Sequence, residues 1–173
     1  MKRLIQRLVE TPLLSRIRRN HGLEHATIHM LSARYPKSTL IGRADAHGFY
    51  LYGEVPSEAV EAAVTEALDR LRAGEHHLAI HPNCGTNFLT AGLLAASASF
   101  LSLTGMGDRG WRERLDRLPV AIVATMVALI LAQPLGTAAQ QHLTTRGDPG
   151  KLKVTAIRRH ESGRTIHRVL TQG

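Results

Sequence analysis

Residues 76–106 decide how this chain is built. They read His76-His77-Leu78-Ala79-Ile80-His81-Pro82-Asn83-Cys84-Gly85, and then run from Thr86 to Met106 without one formally charged side chain. The first ten residues concentrate imidazole, thiol and turn chemistry. The rest, with Phe88, Leu89, Leu93, Leu94, Phe100, Leu101 and Leu103 set among Ala, Ser and Gly, is long enough to cross a hydrocarbon core of about 30 Å as a helix. Small residues at Gly92, Ala95, Ala96 and Ser99 let a neighbouring helix approach closely. The spacing of residues 77–81 predicts a short strand leading into the Pro82–Gly85 turn. Asn83 and Thr86 are the expected caps of the apolar helix.

Downstream, a charged connector holds Asp108, Arg109, Trp111, Arg112, Glu113 and Arg114. Its tryptophan and arginines suit a headgroup interface. A second uncharged run follows from Leu118 to about Ala139, with Pro119 in its first turn and Gln133-Pro134 marking a kink or the approach to the far interface. Two such runs predict a transmembrane helical hairpin over residues 86–140. Two spans place both termini on one side of the bilayer. The placing of Lys and Arg tips the comparison toward cytoplasmic termini. Beyond the hairpin, Lys151–Ile157 and Thr165–Leu170 alternate in strand fashion about His160-Glu161-Ser162-Gly163. They predict a C-terminal β-hairpin over residues 141–173, able to extend the sheet of the N-terminal domain.

Upstream, Pro56-Ser57-Glu58 opens a soluble helix, with Ser57 as the expected cap. Val60, Val64, Leu68 and Leu71 recur on one face and Gly74 stands at its end. Before it, Ser38–Gly42 and Phe49–Gly53 read as strands joined by the Asp45–Gly48 turn, which Asp45 shapes. The N-terminal stretch, residues 1–19, alternates Leu and Ile with Lys and Arg. It reads equally as an interfacial helix meeting anionic lipid phosphates or as an amphipathic helix on a soluble core. The predicted class is therefore α+β: a small helix-strand domain (residues 20–85) fused to a two-helix transmembrane hairpin, with a C-terminal β-hairpin.

The other dense stretch is Asn20-His21-Gly22-Leu23-Glu24-His25-Ala26-Thr27-Ile28-His29. With Asn20 as N-cap, a helix to about Tyr35 ends before Pro36. Residues four apart lie one turn apart, so His21, His25 and His29 form one stripe. Two imidazoles one turn apart can share a tetrahedral zinc, and Glu24 beside them can take a proton from zinc-bound water. The third ligand is expected from His81 or Cys84, or from His29 one turn on. Cys84 before a helix N-terminus also has the setting of a nucleophile. The remaining histidines, His47, His142, His160 and His167, read as solvated positions.

Composition narrows the function classes. The chain has 173 residues, 22 Lys+Arg against 14 Asp+Glu, and 10 His. With 1 Cys no intrachain disulfide can form. A basic balance suits nucleic acid or an anionic bilayer, but 3 Phe, 3 Tyr and 1 Trp offer few stacking platforms, which argues against nucleic acid.

His21-Gly22-Leu23-Glu24-His25 is similar to the H-x-x-E-H motif of the inverted zincin peptidases, a resemblance of five residues. Those enzymes add a glutamate ligand far downstream, where this chain runs through uncharged residues. Asn-His-Gly-Leu-Glu-His-Ala-Thr and His-Pro-Asn-Cys-Gly-Thr-Asn before an apolar hairpin resemble a family of small bacterial integral membrane proteins of unknown function. That resemblance implies a bacterial source and a membrane location, here the inner membrane with both termini cytoplasmic, and carries no activity. The expectation is a membrane-anchored metal-binding protein, with zinc as the metal and a zinc-dependent hydrolase or peptidase as the catalytic form. Its ligands are His21, His25, Cys84, His81 and His29, and Glu24 is the catalytic carboxylate. The alternative is a non-catalytic membrane subunit or scaffold whose His/Cys cluster is structural. Expected partners are the bilayer, a protein partner, or a second copy of the chain.

Overall fold

The computed structural model describes residues 9–104, 111–161 and 165–173. The expectations for residues 1–8, for the Asp108–Gly110 part of the connector and for the Ser162-Gly163 turn lie outside them. The chain divides into two compact units. One joins residues 1–81 to 141–173; the other is residues 82–140.

The first unit begins with helix α1, Pro12–Arg34, capped at Thr11 with Pro12 in its first turn. This corrects the expected start at Asn20. Asn20 is buried inside the helix and works across it: Nδ2 donates to the Asp45 carbonyl at 2.8 Å and Oδ1 accepts from Thr171 Oγ1 at 2.7 Å. Those two bonds offset what a mid-helix asparagine costs in propensity. Arg16 and Arg18 also turn inward, donating to the carbonyls of Thr171, His142 and Thr145.

Strands β1 (Ile41–Asp45) and β2 (Gly48–Tyr52) form the first hairpin. Asp45 shapes its turn by accepting the His47 amide at 2.7 Å. Gly48 takes φ +140°, and any Cβ there would strike the Val169 carbonyl. Strands β3 (Lys153–Glu161) and β4 (Thr165–Gln172) form the second hairpin, with a register shift between Val154 and Ala156. The sheet order is β1-β2-β4-β3, antiparallel throughout, so β4 lies beside β2 and the tail completes the sheet.

Helix α2, Ser57–Arg72, buries Val60, Val64, Leu68 and Leu71, as their spacing predicts, and Gly74 leaves it at φ +96°. These meet Leu23, Ala26, Ile28 and Leu31 of α1 and Phe49, Leu51 and Val169 of the sheet in one core. Its N-cap is Pro56, not Ser57. The Ser57 hydroxyl lies 3.2 Å from Nε2 of His167 instead. His167, expected to be solvated, is wholly buried on the inner face of β4 beside Val169, and burial pushes its imidazole below the usual range.

The expected strand at residues 77–81 is a 3₁₀ turn, His76–Ala79, closed by Leu78 and Ile80 amides on the Glu75 and His77 carbonyls. Leu78 and Ala79 are both buried. A strand would send these neighbours to opposite faces, whereas a tight turn directs both inward.

The second unit pairs helix α3 (Gly85–Leu103) with helix α5 (Leu118–Ala139); the short helix α4 (Trp111–Asp116) precedes α5. Both long helices are apolar and long enough to cross a membrane. Ser99 and Thr125 share a hydrogen bond of 2.8 Å between them. Near the other end, a Cβ on Gly136 would come within 2.6 Å of Asn87 Oδ1, so a glycine lets the backbones close there. Asn87 Oδ1 also accepts from the buried Gln140 amide at 2.7 Å. The cap of α3 is Cys84, whose Sγ accepts the Thr86 amide at 3.5 Å, in place of the expected Asn83 and Thr86.

Candidate metal centre

Helix α1 sets His21, His25 and His29 on one stripe, and the chain leaving the 3₁₀ turn runs along it. Gly22 permits this closeness, because a side chain there would collide with the Arg146 carbonyl and press on Ala79. The His25 ring meets the Ala79 carbonyl through Nδ1 at 2.7 Å, and His29 meets the Ile80 carbonyl through Nε2 at 2.8 Å. His21 meets the Thr144 carbonyl through Nδ1 at 2.9 Å.

A carbonyl oxygen only accepts, so each of these ring nitrogens carries a proton and donates. In the neutral imidazoles, Nε2 of His21 and His25 and Nδ1 of His29 then carry the lone pairs. Pinning one ring nitrogen on a backbone carbonyl is how metal-ligating histidines are held in tautomer and orientation.

His81 completes the group. Its ring centroid is 4.8 Å from His29 and 5.7 Å from His25, while His21 and His25 are 4.4 Å apart. Burial pushes the His81 imidazole below its ordinary range and the neighbouring His29 adds to the shift. Potential ligand nitrogens of His21 and His25 lie within 4.8 Å of each other. Two nitrogens on one tetrahedral zinc are about 3.4 Å apart, inside that limit.

Glu24 is buried, at 3% exposure, and packs over Gly42 of β1, where any side chain would displace its carboxylate. His25 is equally buried, at 2%, but faces the 3₁₀ turn. The helix thus presents its carboxylate to the sheet and its imidazoles to a different neighbour. In the second unit, Cys84 is a buried thiol that caps the start of α3.

Sequence reasoning named the four imidazoles but not the groups that orient them. The Ala79, Ile80 and Thr144 carbonyls are main-chain atoms with no side-chain signature. Gly22, a glycine inside a helix, was the one signal of a close approach.

A protein of Picosynechococcus sp. (strain PCC 7002), itself described as uncharacterized, is 38% identical over 167 residues, covering 87% of this chain and 77% of its own length. No solved structure matches this chain. Residues 16–157 match DUF6391, a domain of unknown function, a span that takes in most of α1, the 3₁₀ turn, the apolar pair and the first half of β3. By that match the chain belongs to the DUF6391 family.

Proposed function

We propose that this chain is a membrane-anchored metal-binding protein with zinc as its metal. The observation that carries the reading is the histidine stripe whose rings are each held by a backbone carbonyl, leaving lone-pair nitrogens in neutral imidazoles. His21 and His25 are the primary ligands. His81 is the third from the same unit, with His29 beside it. Cys84 is the thiolate candidate. Only Pro82 and Asn83 separate it from His81, which holds their Cα atoms within about 11 Å of each other however the chain turns. A mixed imidazole and thiolate set suits zinc.

The membrane half of the reading rests on α3 and α5, whose large apolar side chains lie open rather than in a core. Residues 86–140 would cross the bilayer as a hairpin, with both termini cytoplasmic and the basic surface toward anionic headgroups. The packing of Glu24 against Gly42 favours a bracing role for that carboxylate over proton transfer. A structural or metal-holding site is therefore preferred to a zinc hydrolase.

Elemental mass spectrometry of detergent-purified protein tests the metal. Near-stoichiometric zinc that is lost in His25→Ala and reduced in Cys84→Ala supports one shared site. Zinc lost only in histidine variants restricts the ligands to the imidazoles. Protein still metal-free after zinc addition and dialysis overturns the reading. Glu24→Gln separates the two forms of the site: metal kept with hydrolysis abolished would restore the enzyme.

A further inference from the structure

Within the apolar pair, one lateral face is not apolar. Gln133 is exposed on α5, and among the described residues its side-chain amide makes no hydrogen bond. Pro134 follows it inside the helix, and a proline has no amide to offer the Ile130 carbonyl one turn back. Thr137, one turn further on the same face, donates to the Gln133 carbonyl at 3.1 Å. Gln133 and Thr137 border a half-open hollow of about 380 Å³ between the helices, walled by Phe88, Ala91, Leu129 and Ala132.

Gln133 lies six residues from the end of α5, about 9 Å inside it at the helical rise. If residues 86–140 span the bilayer, that depth is hydrocarbon, where no water reaches an amide. This step rests on the membrane reading above. Acyl chains offer no hydrogen bond and lipid headgroups lie further out. A primary amide, by contrast, is its own complement, with a donor and an acceptor side by side. A two-fold contact places the same residue of both copies face to face.

We propose that a second copy of this chain packs on this face, with the Gln133 amides of the two copies hydrogen-bonded to each other across a two-fold axis. Ala132 and Ala91 are small enough to let the helices approach.

The test uses full-length protein carrying one fluorophore on a C-terminal tag, reconstituted at low density in phosphatidylcholine vesicles and counted by single-molecule photobleaching. Wild type is expected to bleach in two steps. Gln133→Leu should need a protein-to-lipid ratio about 3- to 30-fold higher to dimerise. Gln133→Asn, which keeps the amide, should stay near wild type, and Gln133→Met, close in size without the amide, should follow the leucine variant. Circular dichroism of each variant checks that the helices are retained. Single-step bleaching of wild type at every density overturns the proposal. So does a methionine or leucine variant that dimerises as well as wild type, in which case the face serves another partner. Extraction of the wild-type protein from membranes by alkaline carbonate would instead fault the membrane reading itself.

Discussion

Helices α2 and α3 are close in length, 16 and 19 residues, and dispose of their apolar side chains in opposite ways. In α2, Val60, Val64, Leu68 and Leu71 share one face and disappear into the core while Glu61, Glu66 and Arg70 keep the other wet. None of α3 is buried, and Phe88 and Leu93 stand 68% and 66% exposed. An amphipathic helix has its solvent chosen for each face. A helix apolar on all sides calls for a second solvent altogether. The same division separates the two units: one hides its apolar groups among themselves, the other offers them outward.

Breaking that contrast begins in the core. Phe49→Ala should cost about 3–5 kcal/mol, because the wholly buried ring leaves a cavity; thermal unfolding of the detergent-solubilised protein would read it. Leu93→Ala, at an open site on α3, should barely move the same transition. A change of more than about 1 kcal/mol would mean that α3 is packed like a core helix.

The next largest effect belongs to the hairpin. Val123→Arg should oppose membrane integration by about 2.5–3.5 kcal/mol and appear as a growing carbonate-soluble fraction. Integration unaffected by this charge would remove the distinction between α5 and an ordinary surface helix.

A smaller effect sharpens the account of the sheet. Burial would raise the Asp45 carboxyl, but the hydrogen bonds from Arg168, at 2.9 Å, and from the His47 amide outweigh it and hold the carboxyl below its ordinary value. A carboxylate depressed on folding stabilises above its unfolded value and loses that contribution as pH falls through the folded one. The ion pair's share should begin to fade below about pH 5. Asp45→Asn should flatten that part of the acid-unfolding profile, and an unchanged profile would count against the pair.

The smallest effect is Ser99→Ala, which removes the interhelical bond to Thr125. About 0.6 kcal/mol is the expected loss, read by subtle melting in lipid.

Much of this division could be read from residue order alone. The periodic face of α2 and the uncharged run of α5 are long and repeat their signal, so their positions hold. Features set by tertiary partners could not be read so. Asn20 looks like a helix start until Asp45 and Thr171 are seen to claim its side chain. His167 looks like an ordinary strand polar residue until β4 is known to lie in the middle of the sheet. At the candidate metal centre the histidines were evident from their spacing. Their tautomers were not, because main-chain carbonyls from distant segments decide them.

The strand order has a consequence for how the chain is made. Strand β2 takes its inner neighbour from Thr165–Gln172, with the whole apolar pair translated in between. At ordinary elongation rates roughly ten seconds pass before β4 emerges. Through that interval β2 stands as an open edge, the kind of surface that recruits wrong partners. Synthesis of residues 82–140 therefore precedes closure of the sheet. The later hairpin acts as the clasp that closes the earlier one into the sheet.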